Sequence, residues 1–124
     1  DDRLWIKRNV PPLEINCAEP AELRRAFWSQ WLHWRALGAW LVVDSAWPVE
    51  TNFLSTCVHE AGTDSAMLGP CPLIDVAACF LVQGMDADVS FPRKADDLPP
   101  HHPLADVRHT ARKFMALLNG QTWP

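Results

Sequence analysis

The sequence has no Cys-x-x-Cys pair, no secretory signal peptide and no long apolar run. Its four cysteines, Cys17, Cys57, Cys71 and Cys79, match no zinc-binding spacing, which predicts reduced and mostly buried thiols. No apolar run approaches the ~20 residues that a membrane-spanning helix needs. These absences predict a cytoplasmic protein that does not enter a membrane.

An excess of positive charge is also missing, because the formal net charge is -4 at pH 7. The chain therefore has no general basic surface that would hold nucleic acid by charge alone. Chemistry at a phosphate is not excluded, since divalent ions can supply positive charge there. The sequence also contains no internal repeat, phosphate-binding glycine loop or nucleophile elbow.

Apolar residues, by contrast, are abundant. They make up nearly half of the 124 residues, and seven residues are tryptophan. This is enough apolar material for one core, so the sequence predicts a single globular domain over residues 1–124. The chain opens on Asp1-Asp2 without a methionine, which we interpret as a sign of a fragment or of a processed chain.

The middle of the chain alternates between helical and strand patterns and predicts an α/β fold. Apolar residues at helical spacing predict a helix over 21–37, which ends at Gly38. The continuous apolar run 39–43, which is rich in β-branched residues, predicts a buried strand of a mostly parallel sheet. Asp44 follows this strand, at the end where open α/β sheets place their ligand sites.

A second helix is predicted to begin at Pro48, with Glu50 in its first turn. After a loop over 62–72, Leu73-Ile74 predicts a short strand, and Asp75 is expected to cap the helix that follows. We expect residues 1–19 to be irregular and residues 85–100 to form a long exposed loop. The last helix is predicted over 103–118, with a buried face of Leu104, Val107, Ala111, Phe114, Met115 and Leu118.

The stretch that leads into the last helix carries the strongest chemical signal. It reads Leu-Pro-Pro-His-His-Pro-Leu-Ala-Asp over residues 98–106. Pro103 suits the first helical position, and Asp106 then lies in the first turn, where the helix dipole favours negative charge. A carboxylate beside His101 could act as a metal ligand with a general base. The alternative is that Asp106 only stabilises the helix N-terminus and the histidines are loop surface.

This stretch resembles the third motif of the DEDDh 3′–5′ exonucleases, which are ribonuclease H-like nucleases. In that motif a histidine precedes an aspartate by five positions at the start of the last helix, as His101 precedes Asp106 here. Residues 41–54 resemble the second motif of the family, in which an aspartate precedes a Phe-Leu pair. Glu50 matches that aspartate in register, and Asp44 matches it in residue type, so either could fill the role.

The first motif of the family, a strand with Asp-x-Glu, has no counterpart in this sequence. The resemblance, which covers roughly residues 20–118, therefore implies the C-terminal part of a ribonuclease H-like domain. Its central sheet would be incomplete and flanked by helices. We expect this chain to be inactive or nearly so, because one acidic pair cannot hold two metal ions tightly.

The resemblance implies hydrolysis of nucleic acid, DNA or RNA, from the 3′ end to nucleoside monophosphates. Two Mg²⁺ or Mn²⁺ ions would stabilise the attacking and leaving oxygens. Asp106 would bind the metal that carries the attacking water, and His101 would deprotonate that water. Glu50 or Asp44 would hold the second metal.

Two other functions compete with this one. The first is a non-catalytic, nuclease-like interaction module, in which formation of a homodimer would cover exposed sheet edge and apolar helix faces. The second is an unrelated metal-dependent or hydrolytic enzyme built on His101, His102 and Asp106, for which tight Zn²⁺ binding would be diagnostic.

Overall fold

A computed structural model describes residues 2–14, 16–86, 91–95 and 97–120. The chain divides into two compact units, which are described separately below. One consists of residues 15–75, and the other combines residues 1–14 with residues 76–124. That residues 1–124 form a single domain stays a prediction.

The described elements follow one another as α1 (Asp2–Asn9), α2 (Pro20–Ala36), β1 (Leu41–Val43), α3 (Val49–Ala61), a 3₁₀ helix (Thr63–Leu68), β2 (Leu73–Asp75), α4 (Val76–Val82) and α5 (Pro103–Leu118). This is an α/β protein with a small two-stranded parallel sheet packed against helices. Among the described residues, no helix combines the length and the apolarity needed to cross a membrane.

The sheet lies in the unit of residues 15–75. β1 and β2 run parallel, with Leu41 opposite Leu73 and Val43 opposite Asp75. The connection between them contains α3 and the 3₁₀ helix, as parallel strands require a long crossover. The parallel pairing confirms the sequence prediction. Both strands are half-buried rather than buried, so the prediction of full burial for β1 was wrong.

The core of the same unit lies between α2, α3 and the 3₁₀ helix. Trp31 of α2 is 6% exposed, and its indole Nε1–H donates a hydrogen bond to the Leu68 carbonyl at 2.7 Å. Phe27 and Phe53 pack edge to face, with ring centroids 5.1 Å apart. These contacts join α2 to α3 and to the end of the 3₁₀ helix.

The ends of α2 follow the sequence prediction closely. Pro20 occupies the first turn, where its missing N–H costs nothing. Gly38 adopts a φ of 81°, a left-handed conformation that glycine reaches without steric cost. Its N–H donates to the Arg35 carbonyl at 2.9 Å, and the helix ends there.

In the other unit, α4 packs against α5. The apolar core of this unit contains Val76 and Phe80 from α4 and Ala105 and Ala116 from α5. The bounds of α5 agree with the prediction of a helix over 103–118. The described residues of 91–95 and 97–100 are irregular, whereas residues 87–90 and 96 of the predicted loop lie outside the described residues.

The prediction that residues 1–19 are irregular was wrong for α1. This segment is rich in residues with good helix propensity, such as leucine, arginine and lysine. Lys7 and Arg8 lie in its last turn, where positive charge complements the helix dipole. Asn9 ends the helix, and Pro11-Pro12 follows shortly after it.

The predicted buried face of α5 was also wrong. Leu104, Val107, Met115 and Leu118 are exposed, and Ala111 is exposed with them. The buried positions are instead Ala105, His109, Thr110, Lys113 and Ala116. The buried face includes small residues and polar side chains with partners, such as the His109 ring, which packs edge-on against Phe91 at 5.4 Å.

Candidate functional site

The start of α5 holds two of the predicted site residues, His101 and Asp106. His102 is the N-cap residue, and its Nδ1 accepts a hydrogen bond from the Leu104 N–H at 3.2 Å. The His102 carbonyl accepts from the Asp106 N–H at 3.0 Å. With Pro103 in the first turn, these bonds fix where the helix begins. They also place the Asp106 carboxylate at the positive end of the helix.

His101 lies beside that carboxylate. Its backbone N–H donates to Asp106 Oδ1 at 3.4 Å, a long hydrogen bond. The φ of His101 is 66°. Among the described residues, no other residue besides glycine has a positive φ. Non-glycine residues in this conformation are uncommon and concentrate at turns and functional sites. The structure therefore brings the backbone of His101 to the Asp106 carboxylate.

Arg93 is a member of this cluster that the sequence analysis missed. Its Nη2 donates to Asp106 Oδ1 at 2.8 Å, an ion pair in which both side chains are partly exposed. The contact bridges thirteen positions and two irregular stretches. No periodicity or motif in the sequence points to it. The carboxylate that the resemblance assigns to a metal ion is thus engaged by a guanidinium.

Asp97, which precedes α5 in the chain, forms a second ion-pair cluster with arginines of that helix. Its carboxylate accepts from Arg112 at 3.1 Å and from the backbone N–H of Leu98 at 2.9 Å, and Arg108 lies 3.6 Å away. Burial raises the pKa of this carboxyl, but the hydrogen bonds and the two positive charges outweigh it. The pKa of Asp97 is therefore lowered, and the ionised carboxylate stabilises the fold.

Asp44 and Glu50 lie in the unit of residues 15–75. Asp44 follows β1 directly, as predicted, and Glu50 lies in the first turn of α3. Glu50 also lines an apolar cavity of about 190 Å³ with side chains of α2, β1 and α3. Because His101 and Asp106 belong to the other unit, a shared site of all four residues stays a prediction.

Asp75 has a structural part in the same unit. It ends β2, and its Oδ2 accepts a hydrogen bond from the backbone N–H of Ala46 at 2.9 Å. The sequence analysis expected this side chain to cap the following helix. The observed bond connects the end of β2 to the turn that follows β1.

The donor set does not fit a metal centre as it stands. Within the ranges that the structure describes, no three His, Cys, Asp or Glu side chains are grouped so that they could hold a metal ion. Asp106 is paired with Arg93, and the Nδ1 of His102 is used by the helix cap. The described residues therefore also give no support to a zinc enzyme built on His101, His102 and Asp106.

No protein-family model, curated protein or solved structure matches this chain. The case for a nuclease therefore depends on the motif residues and on their placement in the fold.

Proposed function

We propose that this chain carries the His101–Asp106 part of a DEDDh-type 3′–5′ exonuclease centre. The domain would be ribonuclease H-like and cytoplasmic, and it would act on the 3′ ends of DNA or RNA. The observation that carries the proposal is the start of α5, where the backbone N–H of a histidine in a proline-bounded turn donates to a carboxylate in the first helical turn. By the resemblance, the imidazole of that histidine would serve as the general base.

The topology of the other unit adds support. β1 leads into α3 with Asp44 at its carboxyl end, and Asp75 ends the neighbouring parallel strand. Carboxylates at this edge of an α/β sheet lie where such folds bind ligands. Mg²⁺ or Mn²⁺, when bound, would supply the positive charge that phosphodiester hydrolysis needs. Because the described residues do not group as a metal centre, we expect this chain alone to be inactive or nearly so.

The test is an exonuclease assay on the protein expressed from its whole reading frame, with 5′-labelled DNA and RNA oligonucleotides and Mn²⁺. We expect stepwise shortening from the 3′ end, slowed about 100-fold or more by His101→Ala, since a general base contributes about 10²–10⁴-fold. The matched control is His33→Ala, which removes an exposed histidine of α2.

Absence of shortening from the whole reading frame, or full activity in the His101→Ala variant, would contradict the proposal. The 124-residue chain is assayed beside it. Robust degradation by that chain, lost in His101→Ala, would support the nuclease but contradict our expectation that this chain lacks activity.

A second candidate function is a non-catalytic interaction module. The observation that favours it is the exposed apolar stripe of α5, formed by Leu104, Val107, Met115 and Leu118 at helical spacing. A contiguous apolar surface of this kind often marks a protein–protein contact. A homodimer would bury the stripe twice, once from each copy.

For this module, size-exclusion chromatography with light scattering should give the mass of a dimer at micromolar concentration. Val107→Lys, in the middle of the stripe, should shift the mass to that of a monomer, because a buried unpaired charge is costly. Val82→Lys, at an exposed apolar residue of α4, is the matched control and should leave the mass unchanged. A monomer for the unmodified chain across this concentration range would contradict the module.

A further inference from the structure

A second cavity lies between α2 and α3 in the unit of residues 15–75, lined by none of the proposed site residues. Its volume is about 360 Å³, and it is open to solvent. Small-molecule sites commonly occupy about 300–1,000 Å³. The cavity is therefore large enough for a ligand of one or two rings. The residues that line it indicate the chemical class of that ligand.

One wall of the cavity is apolar. Trp28 and Leu32 lie one turn apart on α2, and both line the cavity half-buried. Cys57 of α3 contributes a side chain that is 2% exposed. Burial is the main cause that raises the pKa of the Cys57 thiol, so it stays uncharged and offers an apolar contact rather than a nucleophile.

A flat polar surface adjoins this wall. The Arg24 guanidinium donates from Nε to Glu60 Oε2 at 2.8 Å and from Nη2 to Glu60 Oε1 at 2.6 Å. Paired N–H···O bonds of this kind hold the guanidinium and the carboxylate side by side. The hydrogen bond from Arg24 is the main reason why the pKa of Glu60 is lowered, so the pair stays ionised and balanced in charge. The face of a paired guanidinium remains available for stacking with an aromatic ring.

Arg25 gives the cavity its net charge. It is exposed, it lines the same cavity, and its charge helps to lower the pKa of Glu60, but none of the ion pairs in the described part of the chain includes it. Since the charges of Arg24 and Glu60 cancel each other, Arg25 gives these three residues a net charge of one positive unit. An anionic group on a ligand could form an ion pair with Arg25.

We propose that this cavity binds a small aromatic anion. The ring would contact Trp28 and the Arg24–Glu60 pair, and the anionic group would lie at Arg25. The proposal does not depend on the exonuclease proposal, because it uses none of the same residues. The chemical class of the ligand follows from three features. These are the apolar wall with Trp28, the stacking surface of the Arg24–Glu60 pair and the positive charge of Arg25.

The test is a titration of the ¹⁵N-labelled 124-residue chain with naphthalene-2-carboxylate, followed by NMR of the tryptophan indole N–H signals. The Trp28 signal is assigned by its absence in Trp28→Phe. We expect this signal to shift in a saturable manner. Arg25→Gln should weaken binding about three-fold, the size expected for an exposed ion pair. The matched control Arg35→Gln removes another exposed arginine of α2 outside the cavity and should leave binding unchanged.

The neutral analogue naphthalene-2-carboxamide separates charge from ring contact. It should bind about three-fold more weakly than the carboxylate to the unmodified protein, and equally to Arg25→Gln. The proposal is overturned if the Trp28 signal does not move at millimolar carboxylate. It is also overturned if the two ligands bind the unmodified protein equally well, or if Arg35→Gln has the same effect as Arg25→Gln.

Discussion

Replacing Trp31 with alanine should lower the free energy of unfolding by about 3–5 kcal/mol, the cost typical of truncating a buried aromatic side chain. Trp31 joins α2, to which it belongs, to the end of the 3₁₀ helix, and it is 6% exposed. Its removal leaves a cavity and also leaves the Leu68 carbonyl without its indole donor. Urea denaturation followed by circular dichroism at 222 nm measures the change.

Trp34 provides the matched control. It lies on the same helix three residues further on, and its side chain is 53% exposed. We expect Trp34→Ala to cost about 1 kcal/mol or less, because most of that side chain is already in contact with water. Equal losses in the two variants would contradict the core described for this unit.

Replacing Phe80 with alanine should have a similarly large effect on the other unit, about 3–5 kcal/mol. Phe80 is 3% exposed, and α4, which carries it, packs against α5. Because α4 has only seven residues, packing rather than helix propensity must hold it in place. The same denaturation experiment gives the size of the loss.

The control for Phe80 is its neighbour Leu81, which is 74% exposed. Leu81→Ala should change the free energy of unfolding by about 0.5 kcal/mol or less, as is usual for surface positions. A larger loss of stability in Leu81→Ala than in Phe80→Ala would contradict this orientation of α4. It would mean that the helix buries the side that carries Leu81.

The helix ends were predictable because local chemistry sets them. Pro20 and Pro103 suit the first turn and exclude the helix interior, and Gly38 reaches a left-handed conformation at no cost. The parallel pairing of β1 and β2 was predictable for a related reason. A strand, a helix and a second strand in succession favour a crossover and a parallel pair.

The face that α5 buries could not be read from the sequence. Apolar periodicity indicates which face prefers to leave water, but it does not say whether a partner surface exists there. In α5 the inner face holds His109 and Lys113, and Arg112 is held by Asp97. Such side chains are tolerated inside only when partners are present. For His109 and Arg112 these partners are Phe91 and Asp97, and the described backbone at 91–95 and 97–100 is irregular and carries no periodic signal.

In the candidate site, too, the local contacts were predictable from the sequence and the tertiary contacts were not. His101 and Asp106 were found because their spacing along one turn and one helix brings them together locally. The pairing of Arg93 with Asp106 depends on the path of an irregular segment, which has no sequence signature. Whether Glu50 or Asp44 joins them depends on tertiary arrangement and stays a prediction.

The bond between Asp75 and Ala46 has a consequence for the alignment of the two strands. Each strand has only three residues, so few ladder bonds oppose a slip. A shift by one residue would turn every side chain of a strand to the opposite face. Because the Asp75 carboxylate accepts from the Ala46 N–H at 2.9 Å, such a slip would also pull this donor and acceptor apart. This single side-chain hydrogen bond thus favours the observed register of β1 and β2 over a register shifted by one residue.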